Sequence, residues 1–130
     1  GSHNSYICNE NIFQLQSQTI LDISQKDSCI FVGRCADYVL RNNENVLKVF
    51  LCAPFADRQK QIAAKQHITV DEAAKLIEQT DKKRSVYYNF YTNKTWGQAS
   101  SYDLCINTSQ IGIEGTADFI ANFFRNRFGI

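Results

Sequence analysis

Three arginines and two aspartates are the side chains of this sequence best suited to chemistry. Gly33-Arg34-Cys35-Ala36-Asp37 directly follows the apolar run Ser28–Gly33. Arginine presents a planar fork of donors that matches a phosphate, and Asp37 can accept from a sugar hydroxyl or a base amine. In open α/β sheets ligands bind outside the carboxyl ends of the strands, so a charged pair at that point is well placed. The same two residues could instead pair with each other and cap the next helix. In Thr80-Asp-Lys-Lys-Arg84, Asp81 and Arg84 are three residues apart, so on a helix they share a face while Lys82 and Lys83 point elsewhere. A solvated charged face also explains that pattern. The aromatic stretches that follow, Tyr87–Tyr91 and Lys94–Gly97, could close over a substrate as a lid or pack as core. Arg58, with Lys60 and Lys65 close by, adds positive charge without a pattern of its own. His3 and His67 make no catalytic set. Cys35, beside Arg34 near a helix N-terminus, is placed for a lowered pKa, but no matching base accompanies it.

The elements that must position these residues alternate between helix and strand. Asn11–Ser24 carries Ile12, Leu15, Ile20 and Ile23 among glutamines and reads as a helix. Ser28–Gly33 reads as a strand buried on both faces, and a short helix follows through Ala36–Leu40 to the Asn42-Asn43 turn. Asn45–Cys52 is the second expected strand, closed by Pro54, and a polar helix runs from Ala56 to about Gln66. Thr69-Val-Asp-Glu72 reads as a capping box opening a helix that continues past Arg84 to Tyr91. After a polar loop at Thr92–Ser101, Tyr102–Asn107 is the third expected strand. Gly112–Arg127 is the closing helix, with Ala117, Ile120, Phe123 and Phe124 on one face and Arg125 and Arg127 at its negative end. Strands separated by helices imply right-handed crossovers. The expected fold class is α/β: a mainly parallel sheet with helices on both faces, in a single domain.

Composition narrows the partners. The 130 residues are 44% hydrophobic and 21% charged, with a formal net charge of +1. That balance gives no long-range field, so neither nucleic acid nor membrane is an expected partner, although local basic clusters can still hold phosphate. No apolar run approaches the roughly 20 residues needed to cross a bilayer, and no signal peptide opens the chain. Gly1-Ser2-His3 reads as an expression scar. The five cysteines (Cys8, Cys29, Cys35, Cys52, Cys105) include no CxxC pair, which argues against a zinc site. Three of them lie in apolar strand-like runs, where a reduced, buried thiol acts as a small hydrophobe. An odd count so placed points to a reducing cytoplasm.

Taken together, several segments resemble the cytidylate-kinase-like family, relatives of bacterial cytidylate kinase among the P-loop nucleoside monophosphate kinases. They are Cys29–Leu40, Val49–Pro54 with Arg58, Thr80–Arg84 with Tyr87-Tyr88, and Trp96-Gly97 through Tyr102–Asn107 to Gly112-Ile-Glu114. The resemblance covers about residues 9 to 127. It implies transfer of the γ-phosphoryl of ATP–Mg²⁺ to a nucleoside monophosphate, with CMP or dCMP as the acceptor. Arg34 would hold the acceptor's phosphate, and Asp37 and Arg58 would belong to the same binding machinery. Arg84, with Asp81 beside it, would contact the transferring phosphates. Asn107 and Thr108 would lie in the loop beside the adenine. Such transfer needs positioning and positive charge more than covalent chemistry.

This sequence departs from the family pattern. Cys35 stands where cytidylate kinases proper have aspartate after Gly-Arg, and Gln61 and Lys65 stand where further arginines are typical. Nothing in the 130 residues matches G-x-x-x-x-G-K-[ST], the loop that cradles ATP phosphates. In this fold that loop follows the first strand, which lies between the strands at 29–33 and 46–52. The expectation is therefore a fragment of a longer kinase, inactive alone, lacking the first strand and phosphate loop. A homo-oligomer or a strand-donating partner would be another source of that strand. A non-catalytic nucleotide-binding or partner-binding module is the competing reading, and an α/β domain whose arginines form only surface ion pairs is the third.

Overall fold

The computed structural model describes residues 10–130; Cys8, His3 and the Gly1-Ser2-His3 stretch lie outside the described residues. Apolar residues at helical spacing fold Glu10–Lys26 into α1, with an acidic residue in its first turn and a basic one in its last. Only Ile20 of α1 is buried. It packs with Ala36 and Leu40 in a small cluster flanked by Leu21, Phe31, Val39 and Val46.

Ser28–Gly33 forms no strand. Phe31 reaches the cluster just named, but Ile30 is 92% exposed and Val32 89%. A strand buried on both faces needs a ladder partner, and among the described residues no strand pairs with this segment. Ile30→Ser and Val32→Ser are accordingly expected to change stability by no more than about 0.5 kcal/mol, the usual range for exposed positions. Urea unfolding of the two variants checks this; a loss of several times that size would mean the run is covered in solution.

The single turn α2 (Ala36–Val39) is capped at Leu40, and in the turn that follows the Asn43 side chain accepts from the Asn45 amide at 2.9 Å. The second expected strand is shorter than its apolar run: β1 is Val49–Cys52. It pairs in parallel with β2 (Leu104–Asn107), Val49 against Leu104 and Cys52 against Asn107. One residue locks the start of this ladder, since Asp103 accepts from the Lys48 amide through its carboxylate and donates its own amide to the Lys48 carbonyl. Cys29, Cys52 and Cys105 are exposed rather than buried: Cys52 and Cys105 lie in the small two-stranded sheet and Cys29 in the segment that forms no strand; Cys35 is the buried thiol among the described residues.

Between the strands run two helices. Pro54 sets up α3 (Phe55–Gln66) by accepting from the Asp57 and Arg58 amides. His67, at φ 56°, ends it in the left-handed conformation. Then α4 (Val70–Thr92) begins at the expected cap: the Thr69 hydroxyl accepts from the Glu72 amide at 3.0 Å. The Glu72 carboxylate meets that hydroxyl at 3.2 Å, so half of the capping box takes a different form from the expected backbone bond. Gly97 adopts φ +80°, and a Cβ there would lie 3.2 Å from the Phe50 ring, so both space and conformation require glycine. In α5 (Gly112–Phe128) the buried residue is Thr116, while Ala117 and Phe124 of the expected apolar face are exposed.

The described residues thus form a mixed, mainly helical α/β fold with one small parallel sheet. By internal contacts they divide into two compact units. The first comprises the described residues up to Val46 with Asp81–Trp96; the second comprises Leu47–Thr80 with Gly97–Ile130. In the second, Ala73 and Ile77 of α4 are the buried apolar residues. Among the described residues no large side chain is fully buried.

Candidate functional site

In the first unit the turn before α2 is built from three consecutive left-handed residues: Gly33 (φ 71°), Arg34 (57°) and Cys35 (58°). Glycine adopts this conformation freely, whereas each of the other two carries a strain of roughly 1 kcal/mol or more. The turn closes with the Ala36 amide donating to the Gly33 carbonyl at 3.2 Å. Its effect is to bury Cys35, 3% exposed, and to stand Arg34 out in solvent. Among the described residues Arg34 makes no hydrogen bond or ion pair, so the alternative of an Arg34–Asp37 cap is not formed. The guanidinium fork is open to a ligand.

Asp37 is half-buried in α2, and its Oδ2 accepts from the Tyr88 hydroxyl at 2.7 Å. Cys35 is no thiolate. Burial, with the negative charge of Asp37 adding to it and Arg34 opposing, pushes its thiol up from 9.0 to about 12. A helix N-terminus and a neighbouring arginine are outweighed by loss of solvent, and the low-pKa candidate of the sequence is withdrawn.

The charged segment of α4 behaves as its spacing predicts. Arg84 Nη1 lies 3.5 Å from Asp81 Oδ1 across one helical turn, with the arginine side chain 58% exposed. Such a pair contributes little to stability and leaves Arg84 accessible to a polyanion. The aromatic stretch after it packs on α1: Phe13 stacks on Tyr91 with ring centres 4.1 Å apart, and the Tyr87 hydroxyl donates to Gln16 at 3.2 Å. Phe90 stays 60% exposed.

In the second unit, Arg58 sits half-buried in the first turn of α3. Asn107 ends β2 and accepts from the Ser109 amide through its side chain. Thr108 is tied to the end of β1, its amide donating to the Cys52 carbonyl at 2.8 Å. Beside these residues lies an open depression lined by Asp57, Lys60, Gln61, Thr108, Ser109, Gly112 and Ile113. Of the residues singled out in the sequence, Thr108 lines it directly, whereas Arg58 and Asn107 are chain neighbours of its walls.

The residues present do not make a triphosphate cradle. The left-handed glycines at 33, 97, 112 and 129 are the flexible turns available, and none opens a Lys-Ser or Lys-Thr sequence. Among the described residues no group of three or more His, Cys, Asp or Glu is placed to hold a metal ion. Among the described residues no helix is long and apolar enough to cross a membrane. Two features escaped the sequence reading. The Tyr88–Asp37 bond joins residues 51 apart, and no local pattern announces it. The turn after β2 also escaped it, although Asn before Thr-Ser is a local signal for the side-chain-to-backbone bond found there.

Comparison with known proteins places the chain in a family. The chain is 32% identical over 96 residues to a cytidylate kinase of Thermococcus kodakarensis, a match covering 73% of this chain and 48% of that relative. It is 29% identical over 116 residues to a cytidylate kinase of Sulfolobus acidocaldarius, covering 85% and 63%. The chain thus spans about half the length of the first of these relatives. A crystal structure of an uncharacterized protein from Eubacterium ventriosum superposes with a TM-score of 0.85 at 27% identity, over 88% of this chain and 65% of that one. The sequence pattern of the cytidylate kinase-like family matches residues 2–110, and the chain belongs to that family.

Proposed function

We propose that this chain is the acceptor-binding and charge-supplying part of a cytidylate-kinase-like phosphotransferase, one domain of the P-loop kinase type, with CMP or dCMP as the phosphoryl acceptor. The observation that carries the reading is Arg34: a strained Gly-Arg turn holds an exposed guanidinium with no hydrogen bond or ion pair among the described residues, and Asp37 follows three residues on, in α2. Strain of this kind persists where surrounding structure enforces it, and it concentrates at ligand sites. Arg34 takes the acceptor phosphate through its bidentate fork. Asp37 accepts from the nucleoside, and Arg84, held by Asp81, supplies charge to the transferring group. Arg58, Asn107 and Thr108 belong to the nucleotide side of the reading.

ATP and Mg²⁺ are cofactors of the parent protein in this reading, which takes its phosphate loop, its first strand and the full sheet with helices on both faces from residues outside the 130. The chain alone binds acceptor and transfers nothing. Free thiols at Cys29, Cys35, Cys52 and Cys105 agree with a cytoplasmic site of action. Supply of the first strand by a second copy or a partner would show as a change of oligomeric state. The deciding experiment is a calorimetric titration of the chain with CMP. Saturable one-to-one binding supports the reading, and no heat or shift up to millimolar CMP sinks it.

A further inference from the structure

The two halves of the charged machinery in the first unit are joined by one side chain that no functional assignment covers. Asp81, Arg84 and Tyr88 follow one another at i, i+3 and i+7, so they lie along one face of α4. Arg84 is mostly exposed on that face, whereas Tyr88 is 5% exposed. From there its hydroxyl donates to Asp37 Oδ2 at 2.7 Å. A carboxylate has two oxygens and about four acceptor positions, and this bond occupies one of them. Oδ1 and the remaining lone pair stay available to a ligand, in an orientation set by a buried phenol.

We infer that Tyr88 is a positioning residue for nucleoside recognition: it fixes the Asp37 carboxylate towards the acceptor's sugar hydroxyl or base amine and ties that carboxylate to the helix face that carries Arg84. The inference rests on the reading of Arg34 and Asp37 as the acceptor site. Phosphate gripping by Arg34 does not depend on it, because Arg34 is held by its own backbone turn. The chemistry therefore separates two parts of one ligand. Tyr88 acts on the nucleoside part and leaves the phosphate part alone.

The test is a titration of wild type and Tyr88→Phe with CMP and, separately, with inorganic phosphate. Tyr88→Phe keeps the buried ring and removes the hydroxyl that donates to Asp37. The expected result is an approximately tenfold weaker affinity for CMP, the scale of one bond to a charged acceptor, with phosphate binding unchanged. In an Asp37→Asn background the Tyr88 substitution is expected to add little, since the amide already turns a donor towards the ligand. Equal losses for CMP and phosphate would assign Tyr88 a general structural role and overturn the inference. So would unchanged CMP binding in Tyr88→Phe, which leaves the acceptor reading intact. Wild type that binds no CMP overturns both. Should Tyr88→Phe fail to fold, Asp37→Asn alone carries the test, with a loss confined to CMP expected and an equal loss for phosphate overturning the inference.

Discussion

Replacing Arg34 with alanine is expected to weaken CMP binding by about 10- to 100-fold. A charge-assisted bidentate contact to phosphate contributes roughly 1.5–3 kcal/mol, and no second cation in the Gly33–Asp37 turn replaces it. Arg34→Lys keeps the charge but loses the fork, so it should fall between the two. Stability is expected to stay within about 0.5 kcal/mol in both variants, because the side chain is exposed and unpartnered among the described residues while the left-handed backbone cost is common to all three. Arg34→Gly makes a useful control: it relieves the strain at φ 57° and should bind as poorly as alanine. Calorimetry with CMP and urea unfolding on the same preparations separate binding from folding. If wild type and Arg34→Ala bind CMP equally, the assignment of Arg34 fails.

The second large effect is alkaline. The Cys35 thiol titrates at about 12 in the folded chain and at 9.0 when solvated. Below about pH 9 both states hold the proton, and the folded state carries no penalty from this group. As the pH rises from 9 towards 12 the unfolded chain releases the proton while the folded chain keeps it. Stability therefore falls with rising pH, by about 1.4 kcal/mol per unit in that window. Between pH 7.5 and 10.5 wild type should lose about 2 kcal/mol more than Cys35→Ala, which retains the same backbone geometry without the thiol. Every other ionisable group is common to both proteins, so the difference isolates residue 35. Parallel stability curves would show that Cys35 meets solvent in the folded chain. For a domain of this size a loss on this scale is a substantial part of the total.

Much of this architecture was legible in the residues themselves. The helical spacing of α1, the polar helix that follows Pro54, the Thr69 cap of α4 and the two basic residues ending α5 are local features, and each is formed as expected. The failures are non-local. Ser28–Gly33 has the composition of a buried strand, but a strand exists only with a ladder partner, and periodicity cannot show whether one is present. The exposure of Cys29 goes with that unpaired segment, and that of Cys52 and Cys105 with the small two-stranded sheet. At the site, the Asp81–Arg84 contact could be read from three-residue spacing, as could the place of Arg34 after a glycine. Cys35 was misjudged because its neighbours in sequence favour a thiolate while its burial, a tertiary property, decides the matter. Tyr88 meets Asp37 through packing alone.

The division into two units has a consequence for anyone dissecting the protein. Each unit is discontinuous: the first is interrupted by Leu47–Thr80, and the second by Asp81–Trp96. The parallel pairing of β1 with β2 requires a long crossover, and part of that crossover belongs to the other unit. No single cut of the polypeptide can therefore release either unit whole. A gene fragment that starts after Val46 carries Asp81–Trp96 as an insert stripped of its native packing partners, including Phe13. Truncation series and two-hybrid baits designed at one breakpoint will always divide at least one unit. Only breakpoints after Val46, after Thr80 and before Gly97 would isolate the second unit, Leu47–Thr80 with Gly97–Ile130.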